Sequence, residues 1–136
     1  MADVDPRPVL HIAAAVIVDA DDRVLLVRKR GTTAFMQPGG KVMAGETGLA
    51  AVQREIAEEL DVAVAVAAIR PLGRHVAEAA NEPGHLVDAE LFMVTLDGEP
   101  RAAAEIDEIA WIDPMMPGDI EIAPLTQETV FGLLRS

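Results

Sequence analysis

The sequence of 136 residues has no cysteine and no tyrosine, and only three phenylalanines and one tryptophan. The absence of cysteine excludes disulfides and thiolate chemistry. The scarcity of aromatic side chains argues against a base-stacking surface for single-stranded nucleic acid. Basic residues are also few, 11 against 23 acidic ones, so the net charge is −12. Long-range attraction to polyanions is therefore absent, and we expect no nucleic-acid polymer as partner.

Long hydrophobic runs are missing as well. The run HIAAAVIV is far too short to span a membrane. The opening MADVDPRPVL lacks the basic start and apolar stretch of a signal peptide. We therefore expect a cytoplasmic protein with no membrane partner. The length and the 51% hydrophobic content predict one folded domain, over residues 1–136.

Patterns of apolar residues and turn residues predict strands, then a helix, then strands, then a second helix. Strands are predicted at 12–18 and 24–28, joined by an acidic hairpin turn at 19–22. Loops are predicted at 31–42, with a candidate short strand at 34–37, and at 97–108. Further strands are predicted at 62–69 and 86–96 and in the stretches RHVAEAA and EIAWID, and the closing helix in APLTQETVFGLLRS. This order favours a mixed α/β or α+β sandwich.

The first helix, from Thr47 as N-cap, has an acidic edge. Its apolar stripe consists of Leu49, Val52, Ile56 and Leu60. Beside this stripe, within an arc of roughly 100°, lie three carboxylates, those of Glu55, Glu58 and Glu59. An acidic solvent-exposed face is the simpler interpretation of such a cluster.

Two features favour a cation site over a solvent-exposed face. The carboxylates lie towards the C-terminal half of the helix, where the macrodipole disfavours negative charge, and Arg54 is the one basic residue near them. Hard divalent cations bind such oxygen ligands. Gly39 and Gly40 precede the helix and allow a ligand to approach the backbone closely.

The stretch from Gly40 to Val62 resembles the Nudix signature. That signature reads Gly, five residues, Glu, seven residues, Arg-Glu, an aliphatic residue, any residue, Glu-Glu, any residue, Gly, then an aliphatic residue. The chain matches with Gly40, Glu46 and the stretch REIAEELDV at 54–62. Asp61 stands where the family usually has glycine. The resemblance implies an α/β/α sandwich around a mixed sheet, with the signature as loop–helix–loop.

The resemblance also implies a cofactor and a reaction. Nudix enzymes hydrolyse a pyrophosphate linkage in a nucleoside diphosphate joined to another moiety. Here Mg²⁺ or Mn²⁺ would be held by the carbonyl of Gly40 and by Glu55, Glu58 and Glu59. The metal would offset the diphosphate charge and acidify a water.

The resemblance suggests roles for the neighbouring charged residues. Arg54 would orient the carboxylates, and Glu46 would hold the loop or assist as a base. The general base comes from the helix in some members and from a late loop in others. In that loop Glu105 is the favoured candidate and Glu108 its competitor.

Substrate-binding candidates precede the signature or lie at its start. Gly39 and Gly40 would let the backbone approach the substrate, and Lys41 would meet phosphate, although Lys41 is equally well explained as a solvated lysine. Arg28 and Lys29 end the second predicted strand, and strand alternation sends them to opposite faces, so at least one is a plain surface charge. Phe35 would stack on a base or pack in the core, and packing is the favoured interpretation.

Three function classes are compared. The leading hypothesis is a MutT-like pyrophosphohydrolase of (deoxy)nucleoside triphosphates, favoured over an ADP-ribose-type pyrophosphatase. The alternative is a non-catalytic domain that binds or senses a nucleotide; such domains usually lose a signature glutamate, and all are present here. An isoprenoid diphosphate isomerase is disfavoured because it needs a cysteine. A homodimer is possible by analogy, with no diagnostic segment.

Overall fold

The computed structural model describes residues 5–135, so both ends of the predicted domain 1–136 lie outside the described residues. Its main sheet has the strand order β3-β1-β5-β4. These strands are β1 (Val9–Ile17), β3 (Gly39–Lys41), β4 (Ile69–Glu78) and β5 (Leu86–Val94). Strand β1 pairs parallel with β5 and antiparallel with β3, and β4 pairs antiparallel with β5. The sheet is therefore mixed, as expected.

A second, two-stranded sheet joins β2 (Val24–Lys29) to β6 (Ile106–Ile112) in antiparallel register. The predicted acidic turn forms, because the Asp19 N–H donates to the Arg23 carbonyl at 2.9 Å. The hairpin prediction was wrong beyond that turn, since β1 and β2 share only the isolated bridge between Val18 and Val24. Both edges of β1 are occupied by β3 and β5, which leaves no edge for β2.

Helix α1 (Gly48–Leu60) begins and ends as its sequence predicts. The Thr47 hydroxyl accepts from the Ala50 N–H at 3.1 Å, which is the N-cap hydrogen bond. Asp61 closes the helix in the left-handed region with φ 55°. That conformation is the usual one at the end of a helix and explains why glycine is common there.

The core lies on both faces of the β-structure. Residues Ala13, Ala15 and Ile17 of β1 pack on the side of α1, whereas Ala14 and Val16 pack on the opposite side. The opposite side is covered by the C-terminal helical segment, a π-helical turn (Thr126–Val130) that continues into α2 (Phe131–Arg135). Two helical layers therefore enclose the strands, which is the expected α/β/α sandwich. Ser136, the last residue of the predicted helix, lies outside the described residues.

Three other predictions need correction. The predicted strand 62–69 is a connection with a 3₁₀ turn (Val66–Ala68). Only Val62 and Ile69 of this stretch are buried, so the alternating valines and alanines do not form the buried face of a sheet. Strand β3 lies inside the predicted loop 31–42, where the candidate strand 34–37 forms only isolated bridges. The loop predicted at 97–108 ends earlier, because β6 begins at Ile106.

The strand predicted at 86–96 is confirmed as β5, and those in RHVAEAA and EIAWID overlap β4 and β6. Within residues 5–135, no helix is both long enough and apolar enough to cross a membrane.

Candidate active site

The carboxyl group of Glu59 is buried between α1 and β3. Its side chain is 1% exposed, and one carboxyl oxygen accepts from the Gly39 N–H at 3.0 Å. The other oxygen, Oε2, is buried and accepts no hydrogen bond from any described residue. Burial raises the pKa of Glu59 to about 8, opposed by the Gly39 N–H and increased by the charge of Glu55. A buried carboxylate oxygen without a donor favours a cation as partner.

The two glycines of β3 make this close packing possible. Gly39 has φ 151°, and a Cβ there would lie 2.2 Å from the backbone oxygen of Ala13. A Cβ on Gly40 would lie 2.7 Å from the carboxyl carbon of Glu55. Strand β3 is therefore restricted to glycine at the position that contacts β1, and at Gly40 it leaves room for an acidic side chain of α1.

Arg54 lies among three of the acidic side chains of the signature. It forms ion pairs with Glu46 at 2.8 Å and with Glu55 at 2.7 Å, and Glu58 lies 3.7 Å away. It also donates to the Lys41 carbonyl at 3.1 Å. The hydrogen bonds from Arg54 hold the pKa of Glu46 at about 2. This geometry agrees with the predicted positioning role of Arg54, which stays a prediction.

The donor set fits a divalent cation in its chemistry. It consists of two part-buried or buried carboxylates, those of Glu55 and Glu59, the exposed carboxylate of Glu58, and the backbone of Gly40. Such oxygen donors suit Mg²⁺ or Mn²⁺. Within residues 5–135, no three acidic or histidine side chains converge closely enough to form a metal site as they stand.

A cavity of about 140 Å³ lies beside these glycines, on the face of β1 opposite α1. Its walls are largely apolar and include Leu10, Ile12 and Ala14 of β1. Gln37 and Thr126 also line it, and the Thr126 hydroxyl donates to Gln37 Oε1 at 2.8 Å. The cavity is therefore apolar on the side of β1 and borders, at Gly39 and Gly40, the backbone that lies next to the carboxylates.

Lys29 connects the cavity to the acidic cluster. Its side chain lines the cavity, its Nζ lies 3.4 Å from Glu105, and its charge lowers the pKa of Glu59 against the larger effect of burial. Glu105 is close enough to raise the same pKa. The structure thus brings Lys29 and Glu105, two predicted site residues, to the edge of the candidate site.

Arg28 and Glu108 lie elsewhere. The guanidinium of Arg28 pairs with Asp107 at 2.9 Å and with Glu108 at 3.2 Å, and it donates to the Thr32 carbonyl. Arg28 is therefore held by these contacts, and it is not one of the described residues that line the cavity. Of Arg28 and Lys29, Lys29 lines the cavity and Arg28 does not, and the predicted contact of Arg28 with substrate stays a prediction.

Phe35 and Lys41 have different outcomes. Phe35 is 6% exposed and packs in the core on the side of the C-terminal helix, so packing is the interpretation that agrees with the structure and base stacking is not. Lys41 lines the cavity, with its Nζ 3.9 Å from Glu82. Its position is compatible with the predicted contact to phosphate.

The family of the chain follows from a direct comparison. The family model described as the NUDIX domain matches residues 9–129. The chain belongs to the NUDIX family.

Several relatives extend this result. A Methanocaldococcus jannaschii protein named ADP-ribose pyrophosphatase is 31% identical over 112 residues, covering 79% of this NUDIX chain and 65% of the relative. A Mycobacterium tuberculosis protein, provisionally named 8-oxo-dGTP diphosphatase 2, is 39% identical over 85 residues. That match covers 55% of this chain and 58% of the relative. The match thus spans less than two thirds of each relative's length.

Solved structures agree with the fold. The MutT protein from Methanosarcina mazei Go1 has a TM-score of 0.74 at 19% identity, covering 96% of this NUDIX chain and 95% of the other. At that identity the likeness shows the fold alone.

Sequence reasoning missed the polar pair of Gln37 and Thr126 in the cavity of this NUDIX chain. Gln37 is 5% exposed and Thr126 is fully buried, and Gln37 Nε2 also donates to the Ala15 carbonyl at 2.8 Å. The two residues are 89 positions apart, and neither belongs to a motif. The only available signal was Gln37 directly before the Pro-Gly-Gly stretch.

Proposed function

We propose that this chain is a metal-dependent hydrolase that cleaves the pyrophosphate linkage of a nucleoside diphosphate derivative, with Mg²⁺ or Mn²⁺ as cofactor. The observation that carries the proposal is the buried Glu59 carboxylate, whose Oε2 has no donor among the described residues. It lies on the helix that also bears Glu55 and Glu58. A cation among these groups explains how a chain with net charge −12 binds a polyphosphate.

The residues of the chain divide the work around that cation. Glu55, Glu58, Glu59 and the Gly40 carbonyl would hold it. When bound, a divalent cation offsets the charge of the diphosphate and acidifies a water. Arg54, paired with Glu46 and Glu55, keeps the carboxylates in place.

Two groups at the site edge complete the mechanism. Glu105 accepts the proton of the attacking water as general base. Lys29 lies 3.4 Å from Glu105 and on the cavity wall, where its ammonium offsets negative charge on the substrate. The cavity takes the uncharged end of the nucleotide, because its walls are largely apolar and exclude water from that end.

The favoured substrates are (deoxy)nucleoside triphosphates, in the manner of MutT-like enzymes. The similarity to a protein named 8-oxo-dGTP diphosphatase supports this choice. An ADP-ribose-type activity is the second candidate, because the relative named ADP-ribose pyrophosphatase matches more of the chain, 79%. The retained signature glutamates disfavour a domain that only senses nucleotides. Homodimer formation and a cytoplasmic location stay predictions.

The experiment is a hydrolysis screen with Mg²⁺ or Mn²⁺. The panel contains dGTP, 8-oxo-dGTP, ADP-ribose, a dinucleoside polyphosphate and a nucleotide sugar, with phosphate and pyrophosphate measured separately. We expect pyrophosphate release from a triphosphate, lost when the metal is chelated. ADP-ribose turnover alone would select the second candidate, and no turnover despite metal binding would contradict the hydrolase proposal.

Variants test the assignments within the site. Glu58→Gln is expected to lower kcat at least about 100-fold, whereas Glu99→Gln, at an exposed loop residue, serves as the matched control. Glu105→Gln is expected to lower kcat about 100-fold as the loss of a general base. Glu108→Gln should have little effect, since Glu108 pairs with Arg28. Full activity of the Glu58 variant would refute the metal assignment.

A further inference from the structure

The segment that connects β5 to β6 rests on the end of α1 and carries Glu105. The Arg101 N–H donates to the Leu60 carbonyl at 2.9 Å, and the Ala103 N–H donates to the Glu59 carbonyl at 3.0 Å. Carbonyls in the last turn of a helix have no partner within the helix. Segment 101–105 therefore supplies the missing donors to the helix that carries the carboxylates.

The other end of the segment is attached to β2. The Arg30 N–H donates to the Glu105 carbonyl at 2.8 Å, and Arg30 Nη2 donates to the Ala104 carbonyl at 3.1 Å. Lys29 pairs with the Glu105 side chain at 3.4 Å. The segment thus bridges α1 and β2, and Glu105 is held at the bridge's far end.

The backbone turns sharply just before Glu105. Ala104 has φ 53°, a left-handed conformation that residues other than glycine rarely adopt. The Ile106 N–H donates to the Ala103 carbonyl at 3.0 Å and closes this turn. Contacts on both sides must hold Ala104 in this conformation.

A further contact between segment 101–105 and the end of α1 exists only because of a departure from the NUDIX signature. Asp61, at the position where the signature usually has glycine, forms an ion pair and hydrogen bond with Arg101. A glycine there would provide the left-handed turn but no carboxylate. The substitution therefore adds a tie between the signature helix and segment 101–105.

We propose that Asp61 and Arg101 are positioning residues that hold segment 101–105 on α1 and thereby fix Glu105 beside Lys29. The inference rests on the proposed function, in which Glu105 is the general base. Among the described residues that line the cavity, neither Asp61 nor Arg101 occurs. Their loss is therefore expected to change kcat and to leave KM unchanged.

Amide hydrogen exchange tests the tie without any substrate. We compare the unaltered chain with Asp61→Asn, Arg101→Gln and the double variant. Asparagine tolerates the left-handed conformation, so the backbone turn is kept. Exchange at the Arg101 and Ala103 amides should rise by about two- to fivefold, the range that an exposed ion pair provides. The double variant should exchange no faster than the faster single variant.

Asp119→Asn is the matched control, because it removes the same charge from an exposed loop far from the segment in sequence. The kcat for dGTP and 8-oxo-dGTP with Mg²⁺ should fall in the Asp61 and Arg101 variants and stay unchanged in the Asp119 variant. The difference from the unaltered chain should shrink in about 1 M salt, where exposed charges are screened.

Three results would overturn the inference. These are unchanged exchange in both single variants, additive effects in the double variant, and faster exchange with unchanged kcat. If the unaltered chain hydrolyses no nucleotide of the panel, the proposed function fails and Glu105 is left without a reaction to serve. The exchange measurements separate that failure from a failure of the tie itself.

Discussion

Replacing Glu59 by glutamine should make the metal-free chain less sensitive to rising pH. The Glu59 carboxyl is buried, and burial raises its pKa from 4.5 to about 8. Between these two pH values the folded state binds a proton that the unfolded state releases, so stability falls as the pH rises. Glutamine has no proton to lose, and the variant escapes this fall.

The size of the effect follows from the pKa values. A difference of one in pKa corresponds to about 1.4 kcal/mol. Between about pH 5 and about pH 8, the stability of the variant relative to the unaltered chain should therefore increase by about 3 kcal/mol. Burying an amide N–H in place of Oε2 costs about 1–3 kcal/mol at every pH. This cost shifts the stability difference between the variant and the unaltered chain by a constant and does not change its slope against pH.

Urea unfolding in the presence of a chelator, followed by the fluorescence of the single tryptophan, measures this difference at several pH values. Glu99→Gln, at an exposed loop residue, is the control and should follow the unaltered chain. If the curves for Glu59→Gln and the unaltered chain ran parallel across this range, the argument that burial raises the pKa of the Glu59 carboxyl would be refuted.

Three further variants are predicted. Gly39→Ala should destabilise the fold by at least about 2 kcal/mol in urea unfolding, because a Cβ would meet the Ala13 oxygen at 2.2 Å; unchanged stability would contradict the contact. Gly40→Ala should alter stability by less than about 1 kcal/mol but weaken Mn²⁺ binding about tenfold by calorimetry, because the Cβ displaces the flexible end of Glu55. Glu46→Gln should lower stability at neutral pH. Because its hydrogen bonds lower the pKa of Glu46 from 4.5 to about 2, this loss should disappear as acid unfolding scans pass from about pH 4.5 to about pH 2.

The signature helix was predictable because all its determinants are local. Thr47 caps its start, the apolar residues recur at helical spacing, and Asp61 ends it in the left-handed region. The acidic edge also follows from spacing alone. Lys29 was proposed because it follows the second predicted strand, and Glu105 because it resembles the late-loop glutamate of the family; the structure places the two side chains 3.4 Å apart, and their roles stay predictions.

Features that depend on distant partners were not predictable. Strand β3 consists of Gly39–Lys41, a composition typical of a turn, and it is a strand through its pairing with β1, which is distant in sequence. The hairpin failed for the converse reason, since both edges of β1 are already occupied. The pair of Gln37 and Thr126 depends on how the C-terminal segment folds back, and no local pattern encodes that contact.

The alternation of small residues along β1 separates two tasks within one strand. Ala13 and Ala15 seat the helix that carries the carboxylates, while Ile12 and Ala14 form a wall of the cavity. A change at an odd position therefore disturbs the groups proposed to perform the reaction, and a change at an even position disturbs the space proposed to select the substrate. A library confined to Ile12 and Ala14 would vary what the chain accepts without moving the helix that acts on it.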